Sequence, residues 1–187
     1  SGTTDGPSGA VAHYGICFVQ NRGGGDGVFI TYYGRDSNQM AIRRYDSSAW
    51  QAWQEIYHTG NLLGTVSQSG GVPTGAVIEA GSNTNGRYTK FADGTMITED
   101  SVYIGYANAI RYTATVPTPA TFINTNFRVF MSIPAEALET IGYTKQLTPS
   151  ARAVTTTSAE MRIYSASGSI VNNGNVVVDI FCIGRWF

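Results

Sequence analysis

Residues 50–64 read WQAWQEIYHTGNLLG. Two tryptophans three apart, a glutamate, a histidine and a glycine–asparagine pair admit three readings: a binding site, a metal site, or the joint between two modules. The metal reading is poorly supplied. The chain has two histidines, His13 and His58, and neither has a His, Cys or Asp partner at ligand spacing. His58 follows Tyr57 at the end of a strand signal and reads as a hydrogen-bonded structural histidine. A metal shared between subunits, one His58 from each, is the arrangement left open. No cofactor motif is found, and neither a cofactor nor a metal site is expected. In a strand, residues three apart point to opposite faces, so Trp50 and Trp53 share a side only if a turn or bulge intervenes. Either they cap a very small core or they form a sugar-stacking platform.

Working outward, nearly all the periodicity is of period two. GICFVQN and VFITYYG flank the glycine-rich loop at 22–27, and QMAIRRYD turns at Asp46-Ser47-Ser48 into the tryptophan segment. This predicts a small antiparallel meander over residues 10–58. Residues 60–75 hold five glycines, one proline and two serines in sixteen positions, the composition of a crossover. Beyond it, Asn85-Gly86 and Asp93-Gly94 mark tight hairpins, and RYTATV, FRVFMSI, EMRIYSA and NVVVDIFCIGRWF are strand signals. In FRVFMSI, Phe127, Val129, Met131 and Ile133 share one face. The last strand is apolar on both faces apart from Asp179, which predicts burial on both sides. One short helix is expected at PAEALETIG, with Pro134 in its first turn and Gly142 as its stop. The expected fold is all-β: residues 1–59 a small antiparallel knob module, 60–75 a glycine-rich crossover, and 76–187 a β-sandwich-like tip.

Composition excludes several functions. Twelve basic and thirteen acidic side chains leave a formal charge of -1, so there is no basic stripe for nucleic acid or an anionic membrane. No apolar run reaches membrane-spanning length, so no membrane insertion is expected. Charged residues are 13% and aromatic residues 12% of the chain, which suits a neutral, hydroxyl-rich partner such as a glycan. Cys17 and Cys182 lie in apolar runs and read as small buried hydrophobes rather than a disulfide framework. The opening SGTTDGPSGAVAHYG shows no secretion signal and reads as a cut inside a longer protein.

The residues also carry a family resemblance. DGPSG, the hairpin, and the ending Trp50, Trp53, Glu55, Ile56 resemble the small knob repeat of pyocin and phage tail fibres. TGNLLG is similar to the segment by which such fibres pass to their next element. VPTGAVIEAGSNTNGRYTKFADGTMI resembles the opening of tail-fibre tip domains, and IGRWF is similar to their ending. Residues 100–175 match no part of that pattern. The resemblance makes the opening stretch a joint between modules. It implies an intertwined homotrimer attached to an upstream fibre shaft, at the distal end of a virion or phage-tail-like particle. Such a tip acts outside the cell and binds a bacterial surface glycan, often lipopolysaccharide, or an outer-membrane protein.

Contact residues are expected where aromatic and polar side chains interleave. Tyr103 and Tyr106 offer ring faces, Asn108, Asn124 and Asn126 offer amides, and Arg111 offers a partner for a phosphate or an acidic sugar. No enzymatic activity is expected. The adjacent acids Glu99 and Asp100 face opposite sides of a strand, Glu136 and Glu139 are explained by a helix start, and no Gly-x-Ser-x-Gly elbow is present. A polysaccharide depolymerase and a purely structural trimerisation foot are the two rival functions, with a host-derived lectin a third.

Overall fold

The structure, a computed structural model, describes residues 15–21, 27–35, 38–46, 48–141, 146–172 and 174–187. The chain divides into two compact units, Ser1–Ile78 and Glu79–Phe187. His13, most of the glycine-rich loop, Ser47 and Gly142 lie outside the described residues.

In the first unit, β1 (Gly15–Asn21), β2 (Val28–Gly34), β3 (Met40–Asp46) and β4 (Ala49–Trp50) form the expected antiparallel meander, and β5 (Gln54–Glu55) also pairs with β3. β6 (Gln68–Ser69) and β7 (Val72–Pro73) make a separate small hairpin. Register explains the tryptophans. Tyr45 pairs with Trp50 and Ile42 with Gln54, so three steps along β3 face four along the partner segment. The extra residue is a bulge, and it puts both rings on one side. There the Arg43 guanidinium lies 4.5 Å from the Trp50 ring centre and 4.6 Å from that of Trp53. Trp53 also meets Tyr32 edge-on, and Tyr32 and Ala41 are the buried residues of this face. The opposite face has no cover among the described residues. Ile16, Phe18, Phe29, Tyr33 and Ile42 all point to it and all are exposed, Phe18 by 59%. Cys17 is exposed as well, against the expectation of burial, because β1 is an edge strand with nothing described over it.

In the second unit the strands are β8 (Ile78–Asn83), β9 (Gly86–Phe91), β10 (Thr95–Asn108), β11 (Arg111–Pro117), β12 (Arg128–Ser132), β13 (Leu147–Thr155), β14 (Ser158–Ser165) and β15 (Asn175–Arg185). The helix, α1 (Ala135–Ile141), starts where Pro134 predicts: the Pro134 carbonyl accepts from the Ala137 and Leu138 amides. All strands but β8 and β9 follow the order β12-β15-β10-β11-β14-β13 in one antiparallel sheet, with β9 on β10 and β8 on β9. The two ends of that order, β12 and β13, are neighbours in space, so a single sheet rolls around one core. β14 alternates strictly, with Ala159, Met161, Ile163 and Ser165 buried. Ala159, Met161 and Ile163 pack with Met96, Ile104, Tyr112, Phe122, Ile141 and Val178. Cys182 is buried among them, and burial pushes its thiol up.

The last strand departs from expectation. Val176, Val178, Ile180 and Cys182 face the core, but Phe181 on the other side is 38% exposed. The closing IGRWF has a mechanical role at the Asp93-Gly94 turn. The Arg185 guanidinium donates to the Asp93 carbonyl (2.9 Å), the Trp186 indole to the Phe91 carbonyl (2.8 Å), and the Trp186 amide to the Gly94 carbonyl (3.1 Å). Gly184 lies against the stacked Phe122 and Phe127 rings, where a methyl group would sit 2.5 Å from the Phe127 Cβ.

Gly94 has φ +94 and a Cβ there would run into the Arg185 guanidinium, so Gly94→Ala is expected to lower unfolding free energy by ~1–3 kcal/mol in urea titration. Gly70→Ala, also at positive φ (+59) but with open space around it, is expected to lose less. The Asp93 carboxylate accepts from the Thr95 amide at 2.8 Å, and that bond, with Arg185 nearby, holds its carboxyl below the usual range. A depressed folded value means the contribution is present above the unfolded value, about pH 4, and is lost as pH falls through the folded one. Asp93→Asn is therefore expected to lower the melting temperature at neutral pH, with the gap closing under strongly acidic conditions.

Candidate functional site

The long sheet has an outer face as well as a core face, and register sets what lies on it. Arg87, Glu99, Phe181 and Phe130 form one row across β9, β10, β15 and β12. Ser101, Asp179 and Ser132 form the next, and Tyr103 stands opposite Val177 in the third. β9 leaves β10 at Glu99 and β11 joins it only at Gly105, so the sheet is notched here. The first two rows line a groove of about 560 Å³ together with Gly86, Asp100, Met131 and Ile180.

The geometry is that of an aromatic shelf beside a hydrogen-bonding row. Phe130 (56% exposed) and Phe181 stand 6.1 Å apart with their planes tilted by 53°. Ser101 Oγ donates to Asp179 Oδ1 at 2.6 Å, and Arg87 is paired with Glu99 at 2.6 Å. Asp100 accepts from the Ser101 amide. One arginine against three carboxylates makes the groove acidic and unfavourable to anions. Ring faces take up the C–H face of a sugar, and carboxylate and hydroxyl oxygens accept its O–H groups. Each of the three carboxylates is engaged: Glu99 by Arg87, Asp100 by the Ser101 amide and Asp179 by the Ser101 hydroxyl.

The six residues expected from sequence fall in different places. Tyr103 lies on this face, 68% exposed, one outward position beyond Ser101. Tyr106 turns to the core side and packs edge-on against buried Tyr112, at 5.5 Å. Asn108 pairs with Arg111 at the β10–β11 hairpin, where its side-chain oxygen accepts from the Ile110 amide. Asn124 accepts from the Asn126 amide in the loop before β12, and both are exposed. Asn108 and Arg111 are thus neighbours; the six do not make one site. Phe130, Phe181, Asp179 and Ser101 were not anticipated. For Phe130, Phe181 and Asp179 the signal was the apolar or acidic residue at outward parity in FRVFMSI and VVVDIFCIG; Ser101 carried none.

In the first unit, both ring nitrogens of His58 are engaged: Nδ1 accepts from the Gly60 amide and Nε2 lies 2.5 Å from the Asn38 carbonyl. Among the described residues no group of three or more His, Cys, Asp or Glu side chains is placed to hold a metal. A second cavity of about 400 Å³ is lined by Trp53, Tyr57 and Glu55, but Gln39 and Asn61 already occupy the Glu55 carboxylate.

Solved structures similar to the chain are C-terminal fragments of pyocin tail fibres. A fragment of the P. aeruginosa R1 pyocin fibre is 16% identical with a TM-score of 0.39, covering 91% of this chain and 57% of its own. One of the P. aeruginosa R2 pyocin fibre is 14% identical with a TM-score of 0.40, covering 91% and 56%. An N-truncated R1-type pyocin tail fibre is 17% identical with a TM-score of 0.39, covering 59% of this chain and 88% of its own. The chain spans little more than half the length of the first two. Likeness at that level carries no argument about function. No family model matches the chain, and no curated protein does.

Phe127 and Phe130 are three residues apart and face opposite sides, one 4% and the other 56% exposed. Phe127→Ala is expected to lower stability by ~3–5 kcal/mol and Phe130→Ala by under ~1 kcal/mol in chemical denaturation. Equal losses would show that the Phe130 ring is part of the fold's own packing and not a free surface.

Proposed function

We propose that this chain is the distal part of a phage or phage-tail-like fibre that binds a bacterial surface glycan without cutting it. Residues 1–59 are the knob-like module, 60–75 the crossover and 76–187 the receptor-binding tip. The observation that carries the reading is the groove: two exposed phenyl rings beside the Ser101–Asp179 pair on an otherwise regular sheet face. Tyr103 extends the same surface, and Asn108, Arg111, Asn124 and Asn126 are further contacts on loops and the hairpin. Lipopolysaccharide is the glycan best suited to the reading, because it is displayed at high density on the host surface where such a fibre acts.

The assembly is a homotrimer joined to an upstream shaft. Its support is the apolar face of the first unit, where five large side chains on one side of a small sheet are exposed and have no cover among the described residues. Three equal sites on one particle turn weak binding into stable attachment, so about -4 kcal/mol per site, a millimolar dissociation constant, suffices. Non-catalytic action is supported by the hydrogen-bonded state of Glu99, Asp100 and Asp179. A glycosidase needs two carboxyl groups free to act across the scissile bond, whereas these three are each taken up by a neighbour.

The test is binding of the labelled chain to a panel of strains and to their extracted lipopolysaccharide, with mass in solution measured alongside. Strain-selective binding by a species of three chains, lost about tenfold or more in the Phe130→Ala, Phe181→Ala double variant and leaving glycan length unchanged, is the expected result. A trimer that binds no strain makes the chain a structural foot; shortened glycan makes it a depolymerase.

A further inference from the structure

The outer face of the same sheet changes character across β11, β14 and β13. Every outward residue of β14 is polar and most carry charge or a phenol: Glu160, Arg162 and Tyr164, flanked by Arg152 on β13 and Arg111 on β11. Three guanidiniums stand against one carboxylate, in a chain whose formal charge is -1. Glu160 is already used twice: Arg162 Nη2 reaches its Oε1 at 2.6 Å and Arg152 Nε its Oε2 at 2.8 Å. The Tyr164 phenol oxygen accepts from Arg162 Nη1 at 3.2 Å, and Arg111 stands directly opposite Tyr164 in the β11–β14 ladder.

We infer that Arg111, Tyr164 and Arg162 form a binding site for an oxyanion, a phosphate or carboxylate group. A phenol oxygen that accepts from Arg162 and faces Arg111 across the ladder has its own O–H left to donate, and that bond points away from both cations. Arg111 has no carboxylate partner among the described residues, and the Nε atoms of Arg111 and Arg162 are shut off from solvent without a partner. The cluster is therefore rich in donors whose acceptors are spent, held on three paired strands. Two forked guanidiniums match the paired oxygens of phosphate or carboxylate, which a lysine pair would not. The field of the cluster also reaches the phenol: the Arg111 and Arg162 donors hold Tyr164 below the usual tyrosine range. The acidic groove beside β15 excludes anions, so the two places differ in ligand class. The site does not rest on the receptor reading, because a free ion tests it.

The experiment follows phenolate absorbance of the full chain against pH, with and without inorganic phosphate at constant ionic strength. Subtracting Tyr164→Phe isolates one phenol among eleven tyrosines. A bound anion offsets the two cations, so the Tyr164 curve is expected to move to higher pH by about half a unit or more. Phosphate affinity, taken from that shift, is expected to fall about tenfold in Arg111→Gln and to remain at the wild-type value in Arg128→Gln, an exposed arginine on β12. Glucuronate in place of phosphate tells a carboxylate site from a phosphate site by the larger shift. A wild-type curve unmoved by both ions overturns the proposal without any variant. So does undiminished phosphate affinity in Arg111→Gln, or in Arg111→Lys should the glutamine variant fail to fold, since lysine keeps the charge and loses the fork. Phosphate binding that persists in a chain binding no bacteria would leave this site standing and remove the receptor reading.

Discussion

The ladder between β10 and β15, eleven successive pairs from Thr95 with Arg185 to Gly105 with Asn175, is the constraint on which the second unit depends. Its inner row supplies Met96, Val102, Ile104, Val176, Val178, Ile180 and Cys182 to the core. Its outer row supplies Glu99, Ser101, Tyr103, Phe181 and Asp179 to the surface. A slip of one residue along β15 would exchange the two rows, burying Asp179 and Phe181 while exposing Val178 and Ile180. The register is pinned at both ends. Arg185 and Trp186 are stitched to the Phe91–Gly94 turn, and the Tyr106 amide donates to the Gly174 carbonyl at 2.9 Å. Core and groove are therefore two sides of one decision about pairing.

That coupling explains what could be read from the amino-acid sequence. Turn chemistry is local, so Asn85-Gly86, Asp93-Gly94 and the Pro134 helix start were legible in a few residues each. Alternation in EMRIY is local too, and β14 follows it strictly. The outer side of β15 was misread because Val177, Phe181 and Ile183 are apolar, and apolar residues on both faces of a strand ordinarily mean cover on both. The groove itself joins β9, β10, β12 and β15, four segments whose order in the sheet no short stretch specifies. Tyr103 and Tyr106 looked equivalent in sequence; odd and even positions of one strand send them to opposite sides, and only Tyr103 is exposed.

The first unit shows the same dependence on a single residue. The bulge opposite β3 brings Trp50 and Trp53 round one cation, Arg43, so the two rings act as packing groups for each other and for the guanidinium. A cation between two indoles is worth of order 1 kcal/mol or more, and its stem covers apolar surface besides. This is core by other means, in a unit whose buried hydrophobic residues include only Tyr32, Ala41, Val66 and Ala76 among those described. So small an interior leaves the opposite face, with Phe18, Phe29 and Ile42 exposed, as apolar surface that no described residue buries.

Opposite electrostatic characters on one sheet need not cancel. The acidic groove is centred on β10, β15 and β12, while the basic cluster lies on β11, β14 and β13. Strands are spaced by about 4.8 Å, so the centres of the two places are at least about 10 Å apart. That exceeds the Debye length of about 8 Å at physiological ionic strength, and both places are open to water. Each therefore presents its own potential to a ligand. A neutral hydroxylated ring gains nothing from the arginines and is not repelled by the groove's carboxylates; an oxyanion is repelled there and attracted two strands away.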